Sequence, residues 1–156
     1  MEKLTFDTGI REFQINGGEI LRFNPSDPNL YHRFFTASQK IEELAAEYEK
    51  KRPSDPAELD ENGFPTAGEL LTVMRDYDFH AKRLLSEVFG TENDFDRILG
   101  GVNLLAVAVN GEYVITNFLN AMTPIIQEGA ERYAKAKSDA AVAQAKQNRE
   151  QRRALK

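Results

Sequence analysis

Residues 12–28 read Glu12-Phe13-Gln14-Ile15-Asn16-Gly17-Gly18-Glu19-Ile20-Leu21-Arg22-Phe23-Asn24-Pro25-Ser26-Asp27-Pro28, and the hydrophobic period changes within them. Phe13 and Ile15 alternate with polar neighbours, as do Leu21 and Phe23 beyond Asn16-Gly17-Gly18. A two-residue repeat of this kind marks half-buried strands. The triplet between them supplies residues tolerant of positive φ, which a tight hairpin turn needs. A three-residue loop sets Phe13 opposite Leu21 and keeps both on one face, whereas a two-residue Asn-Gly turn would pair Phe13 with Ile20. The first register is favoured. A lone hairpin is not stable in water, so its apolar face must cover a helix or another chain. The strand pattern stops at Asn24-Pro25-Ser26. Asp27 is placed to cap free amides, and Pro28 takes the first helical position, where no donor is lost.

From there the period is helical. Leu30, Phe34, Ala37, Ile41, Leu44 and Tyr48 recur three and four apart, predicting a helix from about Pro28 to about Lys51 that Arg52-Pro53 ends. Residues 53–65 carry three prolines and four acids, the composition of a polar loop. Thr66 and Glu69 form a capping box for a second helix reaching about Val88, with Leu70, Met74, Tyr77, Ala81, Leu84 and Val88 as its stripe. Gly90 is suited to the left-handed conformation at that helix end. A short helical turn is predicted at about Asp94 to Leu99. Residues 102–109 fit a buried helical turn or a short strand equally well, because periodicity does not decide at this length. The last helix is predicted from near Glu112, with Ile115, Phe118, Leu119, Met122, Ile125, Ile126 and Tyr133 buried and Pro124 kinking or splitting it. The architecture expected is mostly α with a small N-terminal β-hairpin (α+β): the hairpin lies on three main helices, and an extended C-terminal helix follows.

Composition supports one helical domain over residues 1–131 and a distinct arm over 132–156. Hydrophobic residues make up 41%, with ten Phe and five Tyr to fill a core. There is no Cys, which excludes disulfides and thiol chemistry and suits a reducing cytoplasm. The opening Met1-Glu2-Lys3-Leu4 lacks a secretory apolar region, and the longest apolar run, Val102 to Val109, is far short of a membrane span. Residues 1–131 hold 12 Lys+Arg and 23 Asp+Glu, a net of −11; residues 132–156 hold 8 Lys+Arg, Asp139 and Glu150, a net of +6. Ala134, Ala136, Ala140, Ala141, Ala143 and Ala145 favour helix in the arm, yet no large apolar side chain except Val142 precedes Leu155, so a protruding or disordered arm is expected. Its cations Arg132, Lys135, Lys137, Lys146, Arg149, Arg152 and Arg153 are the candidate partner-binding residues.

No catalytic constellation can be assembled, and no cofactor or metal is expected. His32 and His80 each lack a second His or a Cys nearby and read as surface histidines. Asp76 and Asp78 do not face one another on a helix and read as solvated. Glu58-x-Asp60-x-Asn62-Gly63 with Glu69 has calcium-loop spacing, but it begins with Glu and places Pro65 where a backbone donor belongs. Capping by Thr66 and Glu69 explains the same residues without an ion. The basic arm has the charge to meet nucleic acid, but it lacks aromatic residues beyond Tyr133 for stacking, and the acidic body would repel phosphates. Nucleic acid is therefore disfavoured, and no membrane contact is expected.

Three stretches resemble the tail assembly chaperones of long-tailed (siphovirus-type) phages and prophages of Gram-positive bacteria. They are Phe6-Asp7-Thr8-Gly9 with the hairpin and its Asn24–Pro28 exit; Phe89-Gly90 before an acidic turn; and Asn110-Gly111-Glu112-Tyr113 leading into Asn117-Phe118-Leu119 and Met122-Thr123-Pro124-Ile125-Ile126. The resemblance implies a non-catalytic protein that binds the phage tape measure protein and keeps it soluble in the cytoplasm of the bacterial host cell during tail assembly. The tail tube protein is a second candidate partner. Homo-oligomerisation through open strand edges is a further expectation. The competing classes are a structural head–tail or tail component of the virion and a nucleic-acid-associated regulator acting through the basic arm.

Overall fold

The computed structural model describes residues 1–51, 61–62 and 67–155. Strands β1 (Arg11–Gln14) and β2 (Ile20–Phe23) pair antiparallel, with Phe13 opposite Leu21 and Gln14 opposite Ile20. The turn has the three-residue geometry: the Ile15 amide donates to the Glu19 carbonyl and the Gly18 amide to that of Ile15. Asn16 (φ 50°) and Gly17 (φ 73°) take the left-handed conformations this loop demands. Leu21 is fully buried and Phe13 half-buried, so the face predicted to point inward does so.

Helix α1 spans Pro28–Lys51 and α2 spans Ala67–Phe89. At the start of α1 the Asp27 carboxylate accepts from the Asn29 amide at 2.9 Å. Of the loop predicted over 53–65 only Glu61 and Asn62 are described; Glu58, Asp60, Gly63, the Thr66 cap and the Glu69 side chain lie outside the described residues. Beyond α2, Gly90 has φ 121° and donates its amide to Ser86, and the short α3 (Phe95–Ile98) follows with Asp94 accepting from the Asp96 and Arg97 amides. Helix α4 spans Val114–Ala154 and runs through Pro124 without splitting. At 1.5 Å per residue it is about 62 Å long.

Residues 102–109 are neither a helical turn nor a strand. Asn103 folds back to accept from the Leu105 amide at 2.8 Å, and only a single bridge, Val107 to Tyr113, has strand geometry. The segment's carbonyls have another use: those of Leu104 and Ala106 accept from Ile115 and Val114, the first amides of α4. Those amides have no partner within the helix itself, so the loop caps α4 with backbone where Tyr113 offers no side-chain cap.

The core is a chain of rings. Phe89 lies 4.9 Å from Phe23, 5.6 Å from Phe95 and 5.9 Å from Phe118, and Phe95 and Phe118 meet edge-on at 5.6 Å. These contacts join the hairpin, α2, α3 and α4, and edge-on pairs add to the energy of burial alone. Leu30, Leu85, Val88 and Leu104 are buried around them. Helix α4 crosses the hairpin exit so closely that a Cβ on Gly129 would lie 2.1 Å from the Pro25 carbonyl oxygen. Pro25 is also held by the Tyr31 hydroxyl, which donates to the same oxygen at 2.6 Å.

Candidate partner-binding surfaces

Two buried polar groups fix how the body presents its surfaces. The Asn93 side chain accepts from the Arg22 amide at 2.9 Å and donates to the carbonyls of Arg22 at 2.8 Å and Phe89 at 3.0 Å. It therefore acts as a one-residue third strand on the outer edge of β2 and closes that edge at Arg22 to pairing with another chain. The Lys82 ammonium lies 2.7 Å from Asp78 and 2.8 Å from Asp96, and Asp78 also accepts from the Leu104 amide at 2.7 Å. Burial opposes the charge on Lys82, but the hydrogen bonds and charges of the two carboxylates outweigh it and raise its pKa above the ordinary lysine value. Asp78 is thus not the solvated residue expected from its position beside Tyr77. It ties α2 to the loop that caps α4. Asp76 is exposed, as are His32 and His80.

Neither device was evident beforehand. The Asp78–Lys82 spacing of four was a visible signal for a helical ion pair. Nothing local marks Asn93, whose partner Arg22 is 71 residues away.

The first surface is a groove along one side of the α1–α2 pair. Three overlapping hollows of about 230, 370 and 290 Å³ follow one another from His32 and Val88 at one end to Tyr48 and Val73 at the other. Along α1 this covers residues 32–48, about 24 Å at 1.5 Å per residue. Leu44, Tyr48, Tyr77 and Leu84 form apolar walls; Glu43, Glu47, Asp76 and Glu87 line the rims beside Lys40 and Arg83. Among the described residues none of these four carboxylates is in an ion pair.

The second surface is the distal half of α4, which holds all seven candidate partner-binding cations. Every described residue from Arg132 to Leu155 is exposed, alanines included, so among the described residues nothing buries this half. Tyr133, expected in the buried stripe, is 39% exposed and marks where burial ends. At about 100° per residue, Arg132, Lys135, Lys146, Arg149 and Arg153 share an arc of roughly 100° that also holds Asp139 and Glu150 and stays net basic, while Lys137 and Arg152 point elsewhere. Ala136, Ala140 and Ala143 form a small-residue strip beside that arc. Arg132 pairs with Glu128 at 3.0 Å; among the described residues the other six cations have no ion-pair partner.

A third exposed region is the N-terminal segment. Leu4, Phe6 and Ile10 are 88%, 71% and 53% exposed, although the segment is fastened at its end by an Asn24 side-chain bond to the Thr8 carbonyl at 3.0 Å. Among the described residues no group of three or more His, Cys, Asp or Glu side chains is arranged to hold a metal, and no helix is long and apolar enough to cross a membrane. Comparison with protein-family models, curated proteins and solved structures finds no match to the chain.

Proposed function

We propose that this chain is a non-catalytic assembly chaperone of a long-tailed phage or prophage. In this reading it binds the tape measure protein and keeps it soluble in the host cytoplasm until tail tube subunits polymerise around it. The observation that carries the reading is the pairing of an open, half-apolar groove with an uncovered 23-residue helical extension. A long amphipathic helix is recognised by laying its apolar face into such a groove, with anchors three and four residues apart. Charged residues on the arm then add a weaker contact and raise the encounter rate.

One ring from each of the three stretches that resemble tail assembly chaperones joins a single cluster. The Thr8-Gly9 segment is bound by Asn24, Phe23 precedes that Asn, Phe89 ends α2, and Phe118 opens α4; the Phe23, Phe89 and Phe118 rings touch. Each stretch thus contributes a ring to one shared core, whereas Phe6-Asp7-Thr8-Gly9 and Asn110-Gly111-Glu112-Tyr113 are exposed.

The test is co-expression with the tape measure protein encoded beside it. A stable complex and a higher soluble yield are expected, with both reduced when the seven arm cations are changed to Gln. Absence of a complex and of rescue, with the chain found in purified virions, would replace this reading with a structural role in the tail.

A further inference from the structure

We infer that the basic half of α4 from one copy of this chain docks in the α1–α2 groove of a second copy, giving a head-to-tail association in the absence of any other partner. The inference does not depend on the chaperone reading.

The argument starts from charge. The arm, residues 132–156, carries +6, and the remainder of the chain carries −11. Opposite charges on one flexible chain would ordinarily meet by folding back. Here they do not, because α4 is a single helix from Val114 to Ala154 and carries its basic half away from the body. Two arms would repel one another, so pairing arm with arm does not satisfy them. The complementary surface available in a solution of this protein alone is the body of another copy.

The groove is the part of that body suited to a helix. It offers apolar walls and four rim carboxylates without ion-pair partners among the described residues, and its length of about 24 Å fits within the arm, about 34 Å long over its 23 helical residues to Ala154. The alanine strip of the arm lets helix backbones approach closely, and the adjoining basic arc reaches the rim at Glu43, Glu47, Asp76 and Glu87. Lys40 and Arg83 on the same rims oppose the contact in part and set its register toward the Tyr48 end, where the last hollow is lined by Glu47 and Asp76 but by neither of these two cations. A contact between two different patches of one chain is heterologous, so it builds rings or open chains instead of a closed two-fold dimer.

Charge reversal on the full chain tests this without disturbing the core. Lys146→Glu with Arg149→Glu alters only exposed arm residues, and Glu43→Lys with Glu47→Lys alters only the groove rim. Mass and sedimentation are measured across a concentration series at low and high salt. Wild type is expected to form species larger than a dimer that dissociate as salt rises. Each reversed pair alone is expected to weaken association by about tenfold or more, and the four-residue swap to restore it. Circular dichroism of each variant separates misfolding from lost contact. A wild-type monomer at every concentration overturns the inference and leaves the groove to a different partner. Association that survives both reversals also overturns it, assigning self-contact to another surface such as the exposed Leu4–Ile10 segment.

Discussion

Replacing Gly129 by Ala is expected to destabilise the protein, although the same exchange in a helix interior ordinarily stabilises by about 1 kcal/mol. The reversal of sign follows from the crossing of α4 over the hairpin exit. The added methyl would lie 2.1 Å from the Pro25 carbonyl oxygen, 2.4 Å from its carbonyl carbon and 2.8 Å from its Cβ. Non-bonded carbon atoms rest at about 3.5–4.0 Å, so helix and loop must part by roughly 1 Å. The loop resists, because the Tyr31 hydroxyl holds the Pro25 carbonyl and the Asn24 side chain accepts from the Ser26 amide at 2.8 Å. Overpacking of this kind costs about 1–3 kcal/mol, and backbone contact puts Gly129 at the upper end. The net loss is about 2 kcal/mol, which for a chain of this size lowers Tm by roughly 4–8 °C. Gly68, in the first turn of α2, is the control: a Cβ there meets nothing within 4 Å, so Gly68→Ala should raise Tm slightly. Thermal unfolding followed by circular dichroism measures both. If the two substitutions shift Tm in the same upward direction, the close crossing at Pro25 is wrong.

Four further outcomes are expected. Asn93→Ala removes three hydrogen bonds and leaves the Arg22 and Phe89 backbone groups without those partners, so urea unfolding should show a loss of about 2–4 kcal/mol; a loss under 0.5 kcal/mol would contradict the edge-capping role. Lys82→Met strands the nearly buried Asp78 carboxylate and should cost about 3 kcal/mol, with Asp78→Asn added to it recovering part of the loss. The pKa of Lys82 is raised by its partners and those of Tyr31 and Tyr77 are raised by burial foremost, so all three hold their protons more tightly when folded. Their stabilisation is complete below the ordinary values of about 10 and is lost as pH climbs through the higher folded values. Wild type should therefore lose stability on that alkaline limb more steeply than Lys82→Met, and equal slopes would remove Lys82 from the account. Pro124→Ala, at an exposed site in the interior of α4, restores a helical donor and should stabilise by about 1–3 kcal/mol, read as a higher urea midpoint at unchanged slope.

The elements governed by local chemistry were legible. The two-residue alternation around Asn16-Gly17-Gly18 predicted the hairpin register, and Asp27-Pro28 predicted the start of α1, because a turn and a cap are each decided within a few residues. Phe118 and Met122 fell on the buried stripe of α4 as the three-and-four spacing required. What failed depends on distance along the chain. Residues 102–109 take their form from bonds to Asp78, Val114 and Ile115, none of which a period within eight residues can express. Asp78 read as solvated because the groups that complete its site, the Leu104 amide that it accepts from and the Asp96 carboxylate that shares Lys82 with it, lie outside α2. The candidate surfaces divide the same way: the cations of the arm were visible as composition, whereas the groove exists only once α1 and α2 are side by side.

The bond between Asn93 and Arg22 also has a consequence for the order of events on the ribosome. The hairpin emerges first, yet the residue that closes its outer edge is made 71 positions later, and Gly129 later still. At synthesis rates of about 5–20 residues per second, roughly 4–14 seconds pass between translation of Arg22 and of Asn93. During that interval the β2 edge and the Phe13–Leu21 face are open to any nascent neighbour, and polysome-bound copies are the nearest. Slowing translation between codons 23 and 93 should lengthen the vulnerable period and increase aggregation, whereas the same delay placed after codon 129 should not.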